Sequence, residues 1–275
     1  MKPRRIPNWF VGEFLGTFIV VFFGDGAVCV SVTTGAQTGI FEVAIVWGLA
    51  IAIAIQLTRS LSGAHLNPAV TLTLATWKRF PGRRVLPYVA TQMLGAFTAA
   101  AVLYGIFGAA IRQQELASGI SRGNAGSEAS AMVFAEYFPS PGGKALTPEA
   151  RTRVSHTAAV GAEIVGTAIL LIVILGVTDE RKPPRLRAAA PYSIGLTVTL
   201  LISVIGPLTM ACFNPARDLA PRIFTALAGW GSWPFQANGI GWLTVYVLAP
   251  MIGAFLAGAI HERWIVPGYP EAKRA

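Results

Sequence analysis

The chain is poor in charge, and poorest in acid. Only 13% of its 275 residues are charged, with 13 Asp and Glu against 22 Lys and Arg, while 53% are hydrophobic. So few charged groups cannot coat a water-exposed surface, which excludes an ordinary soluble domain and leaves an integral membrane protein. Cysteine occurs only at Cys29 and Cys212, with neither metal-ligand spacing nor a paired pattern, so it says nothing of redox compartment. No His/Asp/Glu cluster with ligand spacing, nucleophile motif or nucleotide-binding glycine loop is present. That argues against an enzyme and against a metal or other cofactor. A pI near 10.1 invites a nucleic-acid reading, but no basic-aromatic module accompanies it.

What the chain has instead is long apolar runs. A spanning helix needs roughly 20 apolar residues, and six runs qualify, at about 9–34, 41–58, 85–111, 156–178, 189–208 and 240–264. Continuous runs such as Ile164 to Val177 exclude a barrel of alternating strands. The first run follows Lys2, Arg4 and Arg5 like a signal peptide, yet it is long enough to span and carries Glu13, so it is read as retained. Basic residues cluster before the first run, at Lys78, Arg79, Arg83 and Arg84, at Arg181, Lys182, Arg185 and Arg187, and at Arg263, Lys273 and Arg274. All fall on one side of a six-span topology. The positive-inside tendency makes that side cytoplasmic, with both termini inside a plasma or bacterial inner membrane. In the long connection 112–155, expected outside, acids nearly offset bases and add little bias.

The tripeptide Asn-Pro-Ala occurs twice, as Asn67-Pro68-Ala69 and Asn214-Pro215-Ala216. Asn is a favoured helix N-cap and Pro a favoured first helical residue, so each copy predicts a helix start. The apolar stretch after Pro68 runs about ten residues, roughly 15 Å of helix, and a similar one follows Pro215. Neither can cross a bilayer, so both are predicted to be re-entrant half-helices whose loops line a cavity. If each Asn carbonyl caps its own helix, its amide NH₂ is left to donate into the lumen. The paired N-termini, each worth about half a positive charge, would repel cations there.

Two halves match in order. Gly12-Glu13-Phe14-Leu15-Gly16-Thr17 parallels Ala162-Glu163-Ile164-Val165-Gly166-Thr167, Gly48-Leu49 parallels Gly195-Leu196, and Gly95-Ala96-Phe97 parallels Gly253-Ala254-Phe255. One three-span unit used twice must enter the membrane in opposite senses, giving an inverted repeat. The expected organisation is a single all-α membrane domain over 1–275, its pseudo-repeats at about 9–111 and 156–264 joined by 112–155. Glu13 and Glu163 are taken as the acids inside the spans, structural acceptors for N–H groups of the re-entrant loops. Arg217, directly after the second motif, is assigned to the pore, with an ion pair to Asp218 as the competing account. His65 is read as pore-lining or as a loop anchor, and Cys212 as open to the same choice.

The segments Ser62-Gly63-Ala64-His65-Leu66-Asn67-Pro68-Ala69 and Asn214-Pro215-Ala216-Arg217-Asp218 resemble the major intrinsic proteins, the aquaporins and glycerol facilitators, over about Phe10 to Arg263. The resemblance implies the aquaporin-like fold, a passive pore in each subunit of a homotetramer, and a constriction at Trp47, Ile202, Ala211 and Arg217. Water-selective members usually carry an aromatic and a His at the first two of those positions. Here Trp47 and Ile202 offer an apolar wall, Ala211 leaves width and Arg217 donates to hydroxyls, a slot that suits glycerol and related polyols with water. Asp218 and Arg222 also resemble glycerol facilitators, whereas the Trp, Ile, Ala, Arg set looks more like the nodulin-like branch. Water, urea, ammonia and neutral metalloid hydroxides such as arsenous or boric acid stay open as solutes. An ion-coupled secondary transporter, which also uses inverted repeats and broken helices, is the reading from another class.

Overall fold

In a computed structural model, residues 6–78 and 80–269 are described. Lys2, Arg4, Arg5, Arg79, Lys273 and Arg274, used above for orientation, lie outside them. Among the described residues six helices are long and apolar enough to cross a membrane: Asn8–Thr34, Ile40–Ser62, Gly82–Ala117, His156–Thr178, Ala190–Thr209 and Gly241–Gly268. They are numbered here as the first to sixth spans. Between the second and third lies a half-helix, Pro68–Trp77, and between the fifth and sixth another, Pro215–Thr225. The protein is therefore an all-helical, multi-pass membrane protein.

Several spans run beyond the apolar stretches that predict them. The second continues through Arg59 to Ser62 and stops where Gly63 turns left-handed at φ 87°, the usual device for ending a helix. The third continues through Arg112 to Ala117. Hydropathy ends where polar residues begin, but a helix ends only where its backbone hydrogen bonds are capped.

The packing repeats itself under inversion. The first span packs on the second and third, as the fourth packs on the fifth and sixth. Each half-helix crosses to the other repeat, Pro68–Trp77 against the sixth span and Pro215–Thr225 against the third. The second and fifth spans meet at the join, where a Cβ on Gly48 would overlap the Gly195 carbonyl and one on Gly195 would overlap the Gly48 carbonyl. Backbones approach this closely only through small residues. Gly95 against the Phe14 carbonyl and Gly253 against the Ile164 carbonyl do the same inside each repeat.

The connection 118–155 folds back onto the protein instead of lying free, with Val133, Phe134, Ala135 and Tyr137 buried. Ion pairs tie it down: its Arg122 reaches Glu115 of the third span, its Glu128 receives Arg151, and its Glu136 reaches the interior. Near-balanced charge in this segment thus goes in part into pairs that dock it on the spans. On the opposite face Lys78 bridges Glu262 (2.5 Å) and Asp179 (3.9 Å), joining the end of the first half-helix to the fourth and sixth spans.

Candidate functional site: a pore between two half-helices

Each Asn-Pro-Ala motif is a helix cap. Asn67 Oδ1 accepts from the Ala69 N–H (2.8 Å), and Asn214 Oδ1 from the N–H groups of Ala216 (3.1 Å) and Arg217 (3.4 Å). Pro68 and Pro215 occupy the first helical positions, where a missing N–H costs nothing. The two amides are not both free, as the sequence reading expected. Asn67 Nδ2 donates to the Phe213 carbonyl (2.8 Å) and Asn214 Nδ2 to the Leu66 carbonyl (2.9 Å). This reciprocal latch uses one hydrogen of each NH₂ and leaves the other. It also brings the two helix N-termini together, so their partial positive charges reinforce one another at one level.

Behind the loops stand the two glutamates, both fully buried. Glu13 accepts from the N–H groups of His65 (3.0 Å) and Leu66 (2.8 Å), and Glu163 from those of Cys212 (3.0 Å) and Phe213 (2.9 Å). Gln92 adds a bond to Glu13 and the Thr209 hydroxyl one to Glu163. The loops need this anchorage because Ala64, Leu66, Ala211 and Phe213 all sit at positive φ, between 52° and 64°, which L-residues adopt at a cost. Leu66 and Phe213 then press into Gly16 and Gly166, where a Cβ would collide with them. With the N–H groups turned to the glutamates, the carbonyls of Ala64, His65, Ala211 and Cys212 receive no hydrogen bond among the described residues.

Two cavities meet in the middle of the molecule. One, of about 190 Å³, runs past Val20, Leu170, Asn67 and Asn214 to Ile174 and Thr178. The other, of about 370 Å³, opens beside Thr38, Ser140 and Lys144 on the face covered by 118–155. Trp47, Ile202 and Arg217 line both, and Ala211 lines the first. Of the four residues assigned to the constriction from sequence, three thus stand at the junction and Ala211 lies on the first cavity. His65 and Cys212 also line the first cavity, each anchored: His65 Nδ1 meets Thr71 Oγ1 (3.2 Å) and Cys212 Sγ meets the Asn214 carbonyl (3.3 Å).

Arg217 does not pair with Asp218. Its Nη2 lies 2.7 Å from Glu136 and 3.5 Å from Asp25, and its Cζ stands 4.4 Å from the Trp47 ring centroid. Asp218 turns away to bind Arg222, Oδ1 to Nη2 at 2.7 Å, and accepts the Glu136 N–H at 2.8 Å. Arg222 closes the circuit by donating to the Glu136 carbonyl. Asp218 and Arg222 therefore fix the loop that presents Glu136. Asp25 corrects the reading of Glu13 and Glu163 as the only acids inside the spans. A second acid in the apolar run that holds Glu13, with no counterpart in the other repeat, was the signal that marks it, whereas nothing singled out Glu136 among the acids of its loop. Among the described residues no group of three or more His, Cys, Asp and Glu side chains could hold a metal ion.

Comparison with known proteins agrees with this architecture. The chain is 40% identical over 250 residues to the "Glycerol uptake facilitator protein" of Haemophilus influenzae, covering 90% of each. It is 38% identical over 261 residues to the "Propanediol uptake facilitator PduF" of Citrobacter freundii, covering 94% of this chain and 93% of the other. The solved structure of the aquaglyceroporin from Plasmodium falciparum superimposes with a TM-score of 0.78 at 29% identity, covering 94% of this chain and 97% of that one. The sequence model of the Major intrinsic protein family matches residues 5–261, and the chain belongs to that family.

Proposed function

We propose that the protein is a passive channel for glycerol and related small polyols, with water, and not an enzyme or an ion-coupled transporter. The observation that carries this is the junction of the two cavities, where Trp47 and Ile202 stand beside the Arg217 guanidinium. A linear polyol has hydroxyls along one edge and C–H groups along the other. Its hydroxyls meet donors on Arg217 and the spare amide hydrogens of Asn67 and Asn214, and acceptors in the unpaired loop carbonyls; its C–H edge slides on the apolar wall. Desolvated hydroxyls need both kinds of partner, because an unpaired one costs roughly 1–3 kcal/mol. The relatives named as glycerol and propanediol facilitators support the same substrate class over urea, ammonia or metalloid hydroxides.

In this reading Trp47, Ile202, Ala211 and Arg217 are the selectivity filter, and Asn67 and Asn214, with their Pro and Ala neighbours, form the cation barrier. The face carrying Lys78, Arg83, Arg84, Arg181 and Lys182 is cytoplasmic, which puts both termini inside and 118–155 outside. The family resemblance supports a homotetramer with one pore per subunit, in a plasma or bacterial inner membrane. Stopped-flow swelling of proteoliposomes in glycerol, 1,2-propanediol, urea and boric acid tests the solute class. Glycerol and propanediol are expected to enter fastest, and an imposed ion gradient to leave their rates unchanged. Faster urea or boric acid entry overturns the polyol assignment; gradient-driven accumulation overturns the channel.

A further inference from the structure

Asp25 is 1% exposed in the middle of the first span, where a carboxylate is costly unless it acts on something. Neither of its oxygens has a hydrogen-bond donor among the described residues; the cation it faces is Arg217 Nη2, at 3.5 Å. Glu136 faces the same nitrogen at 2.7 Å. Neither Glu136 oxygen has a hydrogen-bond donor among the described residues either, so one corner of the guanidinium is paired by charge with two carboxylates while its Cζ lies near the Trp47 ring. Both ion-pair contacts are made by Nη2, which leaves the Nε and Nη1 hydrogens for a solute.

The two jaws differ in kind. Glu136 hangs on a loop held by Asp218 and Arg222, whereas Asp25 is built into a helix whose neighbouring Gly24 is pressed so tightly on Trp47 that a Cβ would overlap the indole. The first span thus fixes the apolar wall and the cation at once. The repeat also supplies a control. The position matching Asp25 in the fourth span is Leu175, and the position matching Arg217 after the first motif is Val70. The acid is present only in the repeat that faces the arginine.

We propose that Asp25 is a positioning residue for Arg217: it holds the guanidinium at the angle that presents Nε and Nη1 to the polyol hydroxyls, and so contributes to solute selection without touching solute. This rests on the polyol-channel reading above. With acids beside it, the Arg217 cation is offset within the protein, which leaves cation exclusion to the paired half-helix N-termini.

The test is a mutant cycle in proteoliposomes of the full chain, read as the ratio of glycerol to water flux. Asp25→Asn, which keeps the shape, and Asp25→Leu, which copies the other repeat, are expected to lower the ratio about threefold, and to change it no further in an Arg217→Ala background. An unchanged ratio, or an equal change in both backgrounds, overturns the inference. If Arg217→Ala itself leaves the ratio unaltered, the constriction reading fails; if it alters the ratio and Asp25→Asn does not, only the Asp25 inference fails. A second measurement needs no Arg217 variant: the rate at which 2,3-butanedione modifies Arg217, followed by mass spectrometry of its peptide. That rate is expected to rise about threefold in Asp25→Asn, where one jaw is lost. An unchanged rate overturns the inference.

Discussion

The two repeats agree where the pore is held and differ at the level of Arg217. Glu13 and Glu163 make the same pair of bonds to the same loop positions, and Asn67 and Asn214 make the same latch. Around Arg217 the matched positions diverge, along the lumen as Trp47 against Ile194 and Arg217 against Val70, and behind it as Asp25 against Leu175 and Asp218 against Thr71. A symmetric scaffold is needed to face two helix ends across a bilayer. One narrow, polar level needs no such symmetry, and Trp47 and Asp25 of the first repeat meet Arg217 of the second there without a matching set at the symmetry-related level.

The comparison breaks most completely at the scaffold. Glu163→Leu strands the Cys212 and Phe213 N–H groups and the Thr209 hydroxyl, each at about 1–3 kcal/mol, against a total stability on the order of 5–15 kcal/mol. Loss of the monodisperse, detergent-solubilised protein is expected, and equally for Glu13→Leu. Glu163→Gln keeps the shape and one acceptor, so a folded protein of reduced melting temperature is expected. If one Leu variant melts like the wild type while the other fails to fold, the repeats are not equivalent supports.

Next in size is Arg217→Val, which gives the filter the residue that the other repeat carries. Solutes wider than glycerol, such as a five-carbon polyol, are expected to gain entry by about tenfold, because the slot loses both bulk and its donor. Proton leak is expected to stay far below solute flux, since the half-helix N-termini and both Asn latches remain. A large proton current in this variant would move the cation barrier from the motifs to Arg217.

The division between scaffold and lining also explains what could be read in advance. Spans, half-helices and buried glutamates were legible because each obeys a local rule, and because the duplication shows every rule twice. Asn67 and Asn214 announce their caps for the same reason. The partners of Arg217 were not, because they are neither local nor duplicated. Glu136 is distant in sequence, in a loop whose charges cancel on paper, and the adjacent Asp218 is turned aside by Arg222 on the next helical turn. The amide latch was equally hidden, since cap geometry says where the Asn carbonyl goes and is silent on the opposing loop.

A smaller effect sharpens the lining side. Ala211→Phe with Ile202→His should narrow the junction and add a polar group where the alkyl edge now passes. Phe is compatible with the left-handed backbone here, as Phe213 at φ 52° demonstrates beside Ala211 at 64°. Glycerol flux is expected to fall about fivefold or more relative to water flux, by loss of width alone. An unchanged ratio in well-folded protein would remove Ile202 and Ala211 from the filter while leaving Arg217 in it.

The smallest expected effect lies at the far end of the pore, where the repeats differ once more: Asp179 follows the last residue of the fourth span, and the matching residue of the first is Cys29. Arg181 donates to both Asp179 oxygens, from Nε (2.8 Å) and Nη2 (2.6 Å), with Lys78 at 3.9 Å. These partners hold the Asp179 carboxyl down at about 2, from an ordinary 3.8. A carboxylate whose folded value is depressed stabilises the fold above its unfolded value and loses that contribution as pH falls through the folded one. The contribution is therefore full above about pH 4 and gone near pH 2, on the order of 1–2 kcal/mol at most for a group at the membrane edge. Asp179→Asn is expected to lower the melting temperature by a few degrees at pH 6, with the gap to wild type closing between pH 4 and pH 2. A gap that stays constant down to pH 2 would mean that Asp179 acts by shape and not by charge, and that this end of the pore is held by Lys78 and Glu262 alone.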